Sequence, residues 1–122
     1  LLATGFMCKV FNVFDKYKTS IDMITTSEVG VSLSIDNTSH LASIVDELME
    51  VGTVVVDEGM CIVCVVGDLR WTNRGFESDA TLALKHIPVR MISYGGSDHN
   101  ISFLVSMEHK QAALQALQKH LF

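Results

Sequence analysis

The chain contains an internal repeat, and two copies of one motif restrict its possible architectures. Gly5-Phe6 stands ahead of Ile21-Asp22-Met23-Ile24 much as Gly75-Phe76 stands ahead of Val89-Arg90-Met91-Ile92. The two separations differ by only two residues, and in both copies an alternating strand and a leucine-bearing helix follow. Such a repeat indicates two related supersecondary units.

Hydrophobic periodicity orders the elements within this repeat. Helical spacing predicts helices over about 6–18, 41–48 and 72–86, and a last helix with Leu114, Leu117 and Leu121 on one face. Apolar or alternating runs predict strands over 20–26, 29–35, 53–56, 60–66, 89–94 and 100–105. Thr38 or Ser39 is expected to cap the second helix and Ser106 the last one. Asp57-Glu58-Gly59 is expected to form a tight hairpin turn.

These elements match two ferredoxin-like βαββαβ units, which is an α+β fold, with the first unit lacking its N-terminal strand. We expect that strand to precede Leu1, so the chain is interpreted as part of something longer. The predicted units span residues 1–56 and 57–122.

Composition argues against several classes of function. Nine Lys and Arg against 14 Asp and Glu give a net charge of −5, which disfavours a general nucleic-acid binder. No apolar run approaches the roughly 20 residues that cross a bilayer, so no membrane partner is expected. Three cysteines are too few for a disulfide framework and fit a reducing compartment, so the expected location is cytoplasmic.

Two runs of residues resemble the tandem regulatory ACT domains of aspartate kinases. Thr4-Gly5-Phe6-Met7, followed by the run from Ser20 to Val29, resembles the first ACT domain. The second ACT domain is matched by Val89–Gly95, Ser97, His99-Asn100 and Phe103–Val105. The pattern is most similar to the lysine-sensitive monofunctional type. The resemblance implies an allosteric module of an enzyme that transfers phosphate from ATP to aspartate, the first step of lysine, threonine and methionine biosynthesis.

The same resemblance implies how such a module works. Two subunits pair through their ACT domains as a homodimer, lysine binds at that interface, and binding inhibits an attached kinase domain. ATP and Mg²⁺ belong to that kinase domain, so we expect no cofactor, metal or catalytic residue in this chain. The alternatives are threonine or S-adenosylmethionine as the effector, or a dimerisation scaffold that senses nothing.

A free amino acid needs partners for its carboxylate and for an ammonium group. Gly5, Phe6 and Met7 lie at a predicted helix start, where backbone N–H groups and the helix dipole favour an anion. Asp22 is the candidate partner for an ammonium group, and nearby serines can add hydroxyl hydrogen bonds. The resemblance gives effector-lining or bordering roles to Phe6, Met7, Ser20, Ile21, Asp22, Ser27 and Glu28.

Each of these residues also has a purely structural interpretation. Asp22 can be an ordinary solvent-facing residue at a strand start. Thr25, Thr26 and Ser27 can form a polar turn into the next strand, and Gly5 can be a plain junction between loop and helix.

Other motifs carry weaker functional hypotheses. Cys61 and Cys64 form a C-x-x-C inside a predicted strand, where residues three apart point to opposite faces, so a shared metal or redox site is rejected. Cys8 is interpreted as a core or subunit-contact residue. The resemblance makes His99 and Asn100 structural or contact residues rather than ligands.

Two further functions occur on ferredoxin-like scaffolds. A phosphatase-type hydrolase would use Arg90 and Asn100, but no loop of backbone donors accompanies them. A single-strand RNA binder needs exposed aromatic residues and basic rims, whereas Tyr94 and Phe103 are isolated and the chain is acidic.

Overall fold

The computed structural model describes residues 4–70 and 72–122. These residues divide into two compact units, with the boundary between Val56 and Asp57. The α+β class with ferredoxin-like elements is confirmed. Among the helices of the described part of the chain, none is both long and apolar enough to span a bilayer.

The order of the elements follows the sequence repeat. The first unit runs α1 (Phe6–Lys16), β1 (Ile21–Thr26), β2 (Val31–Ile35) and α2 (Leu41–Leu48). The second unit runs β3 (Met60–Val66), α3 (Phe76–Ala83), β4 (Val89–Ser93), β5 (Asn100–Ser106), a 3-10 turn (Met107–His109) and α4 (Lys110–Leu121). Each unit has its own antiparallel sheet, β1-β2 in the first and β3-β5-β4 in the second.

The first unit buries a small apolar core between its helices and its sheet. Val10 and Phe14, on the apolar stripe of α1, pack with Ile44 of α2. Ile21 of β1 and Leu33 of β2 pack against this cluster. The helical periodicity in the sequence therefore marks the side of α1 that faces the core.

The second unit has a larger core around the central strand β5. Phe103 is fully buried and clusters with Ala80 of α3 and Leu117 of α4. Leu114, which the sequence places on the same apolar face as Leu117, is 41% exposed. The apolar face of α4 is therefore narrower than predicted.

The predicted strand over 53–56 is wrong, and so is the hairpin through Asp57-Glu58-Gly59. Residues 53–58 adopt no regular structure, and Val55 is 81% exposed. A strand is stabilised by ladder hydrogen bonds and a buried face, and within the described part of the chain this run has neither. Its β-branched composition alone does not produce a strand.

The remaining helix predictions are right in type and differ at the ends. α3 is shorter than the predicted 72–86 and spans only Phe76–Ala83. His40 precedes α2 in place of the predicted Thr38 or Ser39, and Ser106 precedes the 3-10 turn rather than α4. None of these caps makes a side-chain hydrogen bond, so no side chain fixes where these helices begin.

The repeat extends to two special features of the backbone. Gly5 and Gly75 precede α1 and α3 with φ angles of 83° and 80°, a left-handed conformation that glycine adopts without strain. The first strand of each hairpin, β1 or β4, also contains a register irregularity, and Asp22 and Arg90 are the residues at these two positions. The two copies therefore share the left-handed glycine and the register irregularity. The residue at the irregularity is acidic in the first copy and basic in the second.

An ion pair joins the helices of the first unit. Lys16 Nζ donates a hydrogen bond to Glu47 Oε1 at 2.9 Å. The Tyr17 hydroxyl and then the Lys16 ammonium lower the pKa of the Glu47 carboxyl below its ordinary value of 4.5. Glu47 Oε2 is buried without a well-aligned hydrogen bond. The hydrogen bond from Lys16 is therefore the well-defined contact of this carboxylate.

This ion pair makes stability depend on pH in one direction. Because folding lowers the pKa of Glu47, its contribution is fully present above 4.5 and is lost as the pH falls through the folded-state pKa. We expect Glu47→Gln to lower the melting temperature at neutral pH and to match wild type at strongly acidic pH, measured by circular dichroism. Glu50→Gln, which removes an exposed carboxylate just after α2, is the control. Equal effects of the two substitutions would contradict the prediction.

Candidate functional site

Two predicted site residues of the first unit pack against the same apolar core. Phe6 of α1 and Ile21 of β1 both pack against the cluster of Val10, Phe14 and Ile44. α1 and β1 therefore share this core. The polar groups of the candidate site belong to the sequence neighbours of Phe6 and Ile21. They are the backbone N–H groups at Gly5 and Met7 and the side chains of Ser20 and Asp22.

The start of α1 is open to an anion. Gly5 provides no side-chain cap, and the first turn contains no acidic residue. The Gly5 carbonyl accepts the hydrogen bond of the Lys9 N–H at 3.1 Å, but the first N–H groups of the helix have no helical acceptor. α3 differs, because Glu77 and Asp79 already place carboxylates in its first turn. A helix start favours an anion, and α1 has no acidic side chain of its own there, so the anion can come from a ligand. In α3 its own carboxylates take that role.

Asp22 lies on a β-bulge. Ile21 pairs with Ile35 and Met23 pairs with Ser34, so Asp22 is an extra residue in β1. A bulge of this kind bends the strand and changes the direction of a side chain, and bulges are common beside binding sites. The Asp22 side chain is exposed, and within the described residues it makes no ion pair or hydrogen bond.

The second unit has the same bulge but a different charge on it. Val89 pairs with Val105 and Met91 with Leu104, which leaves Arg90 as the extra residue. The Arg90 Nε lies 3.4 Å from Asp57 Oδ2, so the charge on this bulge has a partner in the same unit. The carboxylate of Asp22 is thus available to an external cation, whereas the guanidinium of Arg90 is already paired.

Ser27 and Glu28 lie at the other end of β1. The Ser27 N–H donates to the Gly30 carbonyl at 2.9 Å, and the Ser27 Oγ accepts from the Val29 N–H at 3.3 Å. Ser27 follows the last residue of β1, about 16 Å along the strand from Asp22. That separation exceeds the length of an extended lysine. Within one copy of the chain, Ser27 and Glu28 therefore do not line the same small ligand as Asp22, and the turn interpretation describes their local role.

One polar contact of the site was not found from the sequence. The Ser34 Oγ of β2 accepts a hydrogen bond from the Met23 N–H at 3.0 Å, directly after the bulge. The alternation of Ser32 and Ser34 with apolar residues places both serines on one face of β2. The sequence does not show which of them meets the bulge, because the bulge itself shifts the register.

The other candidate residues have structural surroundings. Cys61 packs partly buried against the second core, whereas Cys64 is exposed and its Sγ lies 3.2 Å from Ser102 Oγ. Cys8 is exposed, so it is not a core residue, and its interpretation as a subunit-contact residue stays a prediction. Asn100 Nδ2 donates to Ser102 Oγ at 2.9 Å. In residues 4–70 and 72–122, no group of three or more His, Cys, Asp or Glu residues could hold a metal ion.

The surroundings of the residues named for other functions are also local. Arg90 is paired with Asp57, and Asn100 is hydrogen-bonded to Ser102. Phe103 is fully buried, so it is not available to stack on a base. Phe103 is therefore excluded as one of the two aromatic residues considered for single-strand RNA binding.

Comparisons with known proteins identify the class. The family model described as the ACT domain matches residues 63–121, which lie in the second unit. A solved structure from Porphyromonas gingivalis W83, described as a proposed C-terminal regulatory domain of aspartate kinase, is 51% identical with a TM-score of 0.90. The match covers 100% of this chain and 84% of that one. The fold and the family match thus define an ACT-domain protein.

Longer relatives point to the same enzyme. Lysine-sensitive aspartokinase 3 of Escherichia coli K12 is 34% identical over 130 residues, which cover 100% of this chain and 29% of the relative. A structure of E. coli aspartokinase III in complex with lysine and aspartate is 36% identical with a TM-score of 0.84, covering 98% of this chain and 28% of that one. The chain belongs to the family of aspartate kinase regulatory domains. It spans less than a third of the length of these E. coli relatives.

Proposed function

We propose that this chain is the effector-binding module of an aspartate kinase and that its effector is lysine. The lysine carboxylate binds the open N–H groups at the start of α1, and an ammonium group of lysine binds the carboxylate of Asp22. Binding inhibits a kinase domain that phosphorylates aspartate with ATP and Mg²⁺ in the cytoplasm.

The observation that carries this proposal is the contrast between the two bulges. Asp22 has no ionic partner within the described residues, and the start of α1 in the same unit lacks acidic residues. In the second copy Arg90 is paired with Asp57, and the α3 start carries Glu77 and Asp79. A zwitterionic amino acid complements the first unit, where neither Asp22 nor the α1 start has a charged partner within the described residues. In the second unit the corresponding positions already carry partner charges. The E. coli relative that was solved with lysine supports the choice of ligand.

We propose further that the module works as a homodimer with lysine at the contact between two first units. The exposed apolar side chains of the first unit include Phe11 at 41%, Ile24 at 38% and Val29 at 79%, and a contact between subunits would cover these three. A twofold contact also offers a way to use Ser27 and Glu28, because the far end of β1 in one subunit can border the ligand of the other. Ligand occupancy and subunit arrangement would then be linked.

The alternatives make different predictions. If threonine or S-adenosylmethionine is the effector, the same site binds that molecule in preference to lysine. If the chain is a scaffold that senses nothing, it dimerises without responding to any of the three.

Calorimetric titration with lysine, threonine and S-adenosylmethionine tests the proposal, with dimer content measured by sedimentation in parallel. We expect heat with lysine alone and a larger dimer fraction at saturation, because a ligand held between subunits stabilises their association. The absence of heat with lysine, together with an unchanged dimer fraction, would overturn the lysine assignment.

A further inference from the structure

The bulge at Asp22 is held by a side chain that is not on its own strand. At the bulge, which interrupts the regular register, the Met23 N–H has a side-chain acceptor on β2. The Ser34 Oγ supplies that acceptor at 3.0 Å, in partly buried surroundings. Met23 itself is buried, with 5% of its surface exposed. The Ser34 hydroxyl therefore fixes the backbone on the C-terminal side of Asp22.

The second unit shows that the bulge does not require such a hydroxyl. There the residue opposite Met91 is Leu104, which has no polar group, and the bulge forms nevertheless. The charged residue of that bulge, Arg90, is oriented instead by its contact with Asp57. The hydroxyl occurs in the copy whose charged residue has no partner of its own. Its role is therefore specific to the first unit.

We propose that Ser34 is a positioning residue for effector binding, and that it acts by fixing the direction of the Asp22 carboxylate before the ligand arrives. This inference rests on the proposed function, because it assumes that Asp22 binds an ammonium group. Removal of the hydroxyl takes this acceptor away from the partly buried Met23 N–H, so the backbone beside Asp22 gains freedom. Binding must then order this segment, which lowers affinity without removing a contact to the ligand.

Three substitutions on β2 test the inference in the full chain. Ser34→Ala removes the acceptor, and Ser34→Thr keeps a hydroxyl on a residue that strands favour. Ser32→Ala is the matched control, because Ser32 lies on the same strand two residues away and makes no side-chain hydrogen bond in the described part of the chain. The readouts are lysine affinity by calorimetry and hydrogen exchange of the Met23 amide by NMR.

We expect Ser34→Ala to weaken lysine binding about tenfold and to speed exchange at Met23 by a similar factor, as for the loss of one hydrogen bond. Ser34→Thr should restore both values, and Ser32→Ala should change neither. Wild-type affinity in Ser34→Ala, or an equal loss in Ser32→Ala, would overturn the role of Ser34 alone. A wild-type chain that binds no lysine would overturn the proposed function and the role of Ser34 with it.

Discussion

Replacement of Asp22 by asparagine is expected to weaken the binding of lysine about 30-fold while the chain stays folded. The substitution keeps the size of the side chain and removes the charge that we propose binds an ammonium group. Loss of a hydrogen bond to a charged group costs about 2 kcal/mol, which is about 30-fold in affinity. Because the Asp22 side chain is exposed and makes no hydrogen bond or ion pair within the described residues, its replacement should leave the melting temperature unchanged. Calorimetry and thermal denaturation measure the two quantities.

The control for this experiment is Asp46→Asn. Asp46 is an exposed residue of α2 in the same unit, so the substitution makes the same change in net charge away from the site. It should leave lysine affinity at the wild-type value, and Asp22→Ala should behave like Asp22→Asn. Wild-type affinity in Asp22→Asn would exclude the ammonium role, and an equal loss in Asp46→Asn would indicate a general effect of charge.

Phe103→Ala is expected to have the largest effect on stability in the second unit. Phe103 is fully buried on the central strand, paired with Val63 on one side and Ile92 on the other. Truncation of a buried phenylalanine typically costs about 3–5 kcal/mol, because the cavity that it leaves fills only in part. Small domains have total stabilities of about 5–15 kcal/mol, so this loss is a large fraction of what holds the unit folded.

Chemical denaturation followed by circular dichroism measures this effect. Phe122→Ala is the matched control, since Phe122 is 86% exposed and its truncation removes little buried contact. We expect the control to stay within about 0.5 kcal/mol of wild type, as surface substitutions usually do. Similar denaturation midpoints for the two variants would mean that Phe103 does not anchor the core as its burial indicates.

The sequence predicts the architecture well where a periodic pattern is supported by packing. The apolar stripe of α1 and the alternation of β2 each match the observed element, because the same residues that set the period also meet a core. The run Thr53–Val56 has an equally apolar sequence but forms no strand. Its composition resembles that of a strand, and only the absence of a pairing partner within the described residues distinguishes it.

The candidate site is predictable in part. The open start of α1 follows from Gly5 and from the lack of acidic residues after it, which can be seen in the sequence. The bulge cannot be seen there, because a register shift is a relation between two strands and leaves no mark on either one alone. The support that Ser34 gives to Met23 and the pairing of Arg90 with Asp57 depend on the fold in the same way.

A crystal structure of the chain with lysine tests the central claim most directly. We predict the ligand carboxylate at the first N–H groups of α1 and an ammonium nitrogen within hydrogen-bonding distance of the Asp22 carboxylate. Lysine bound instead at the Arg90 bulge of the second unit, or an Asp22 carboxylate that stays in solvent while lysine occupies another place, would contradict the account.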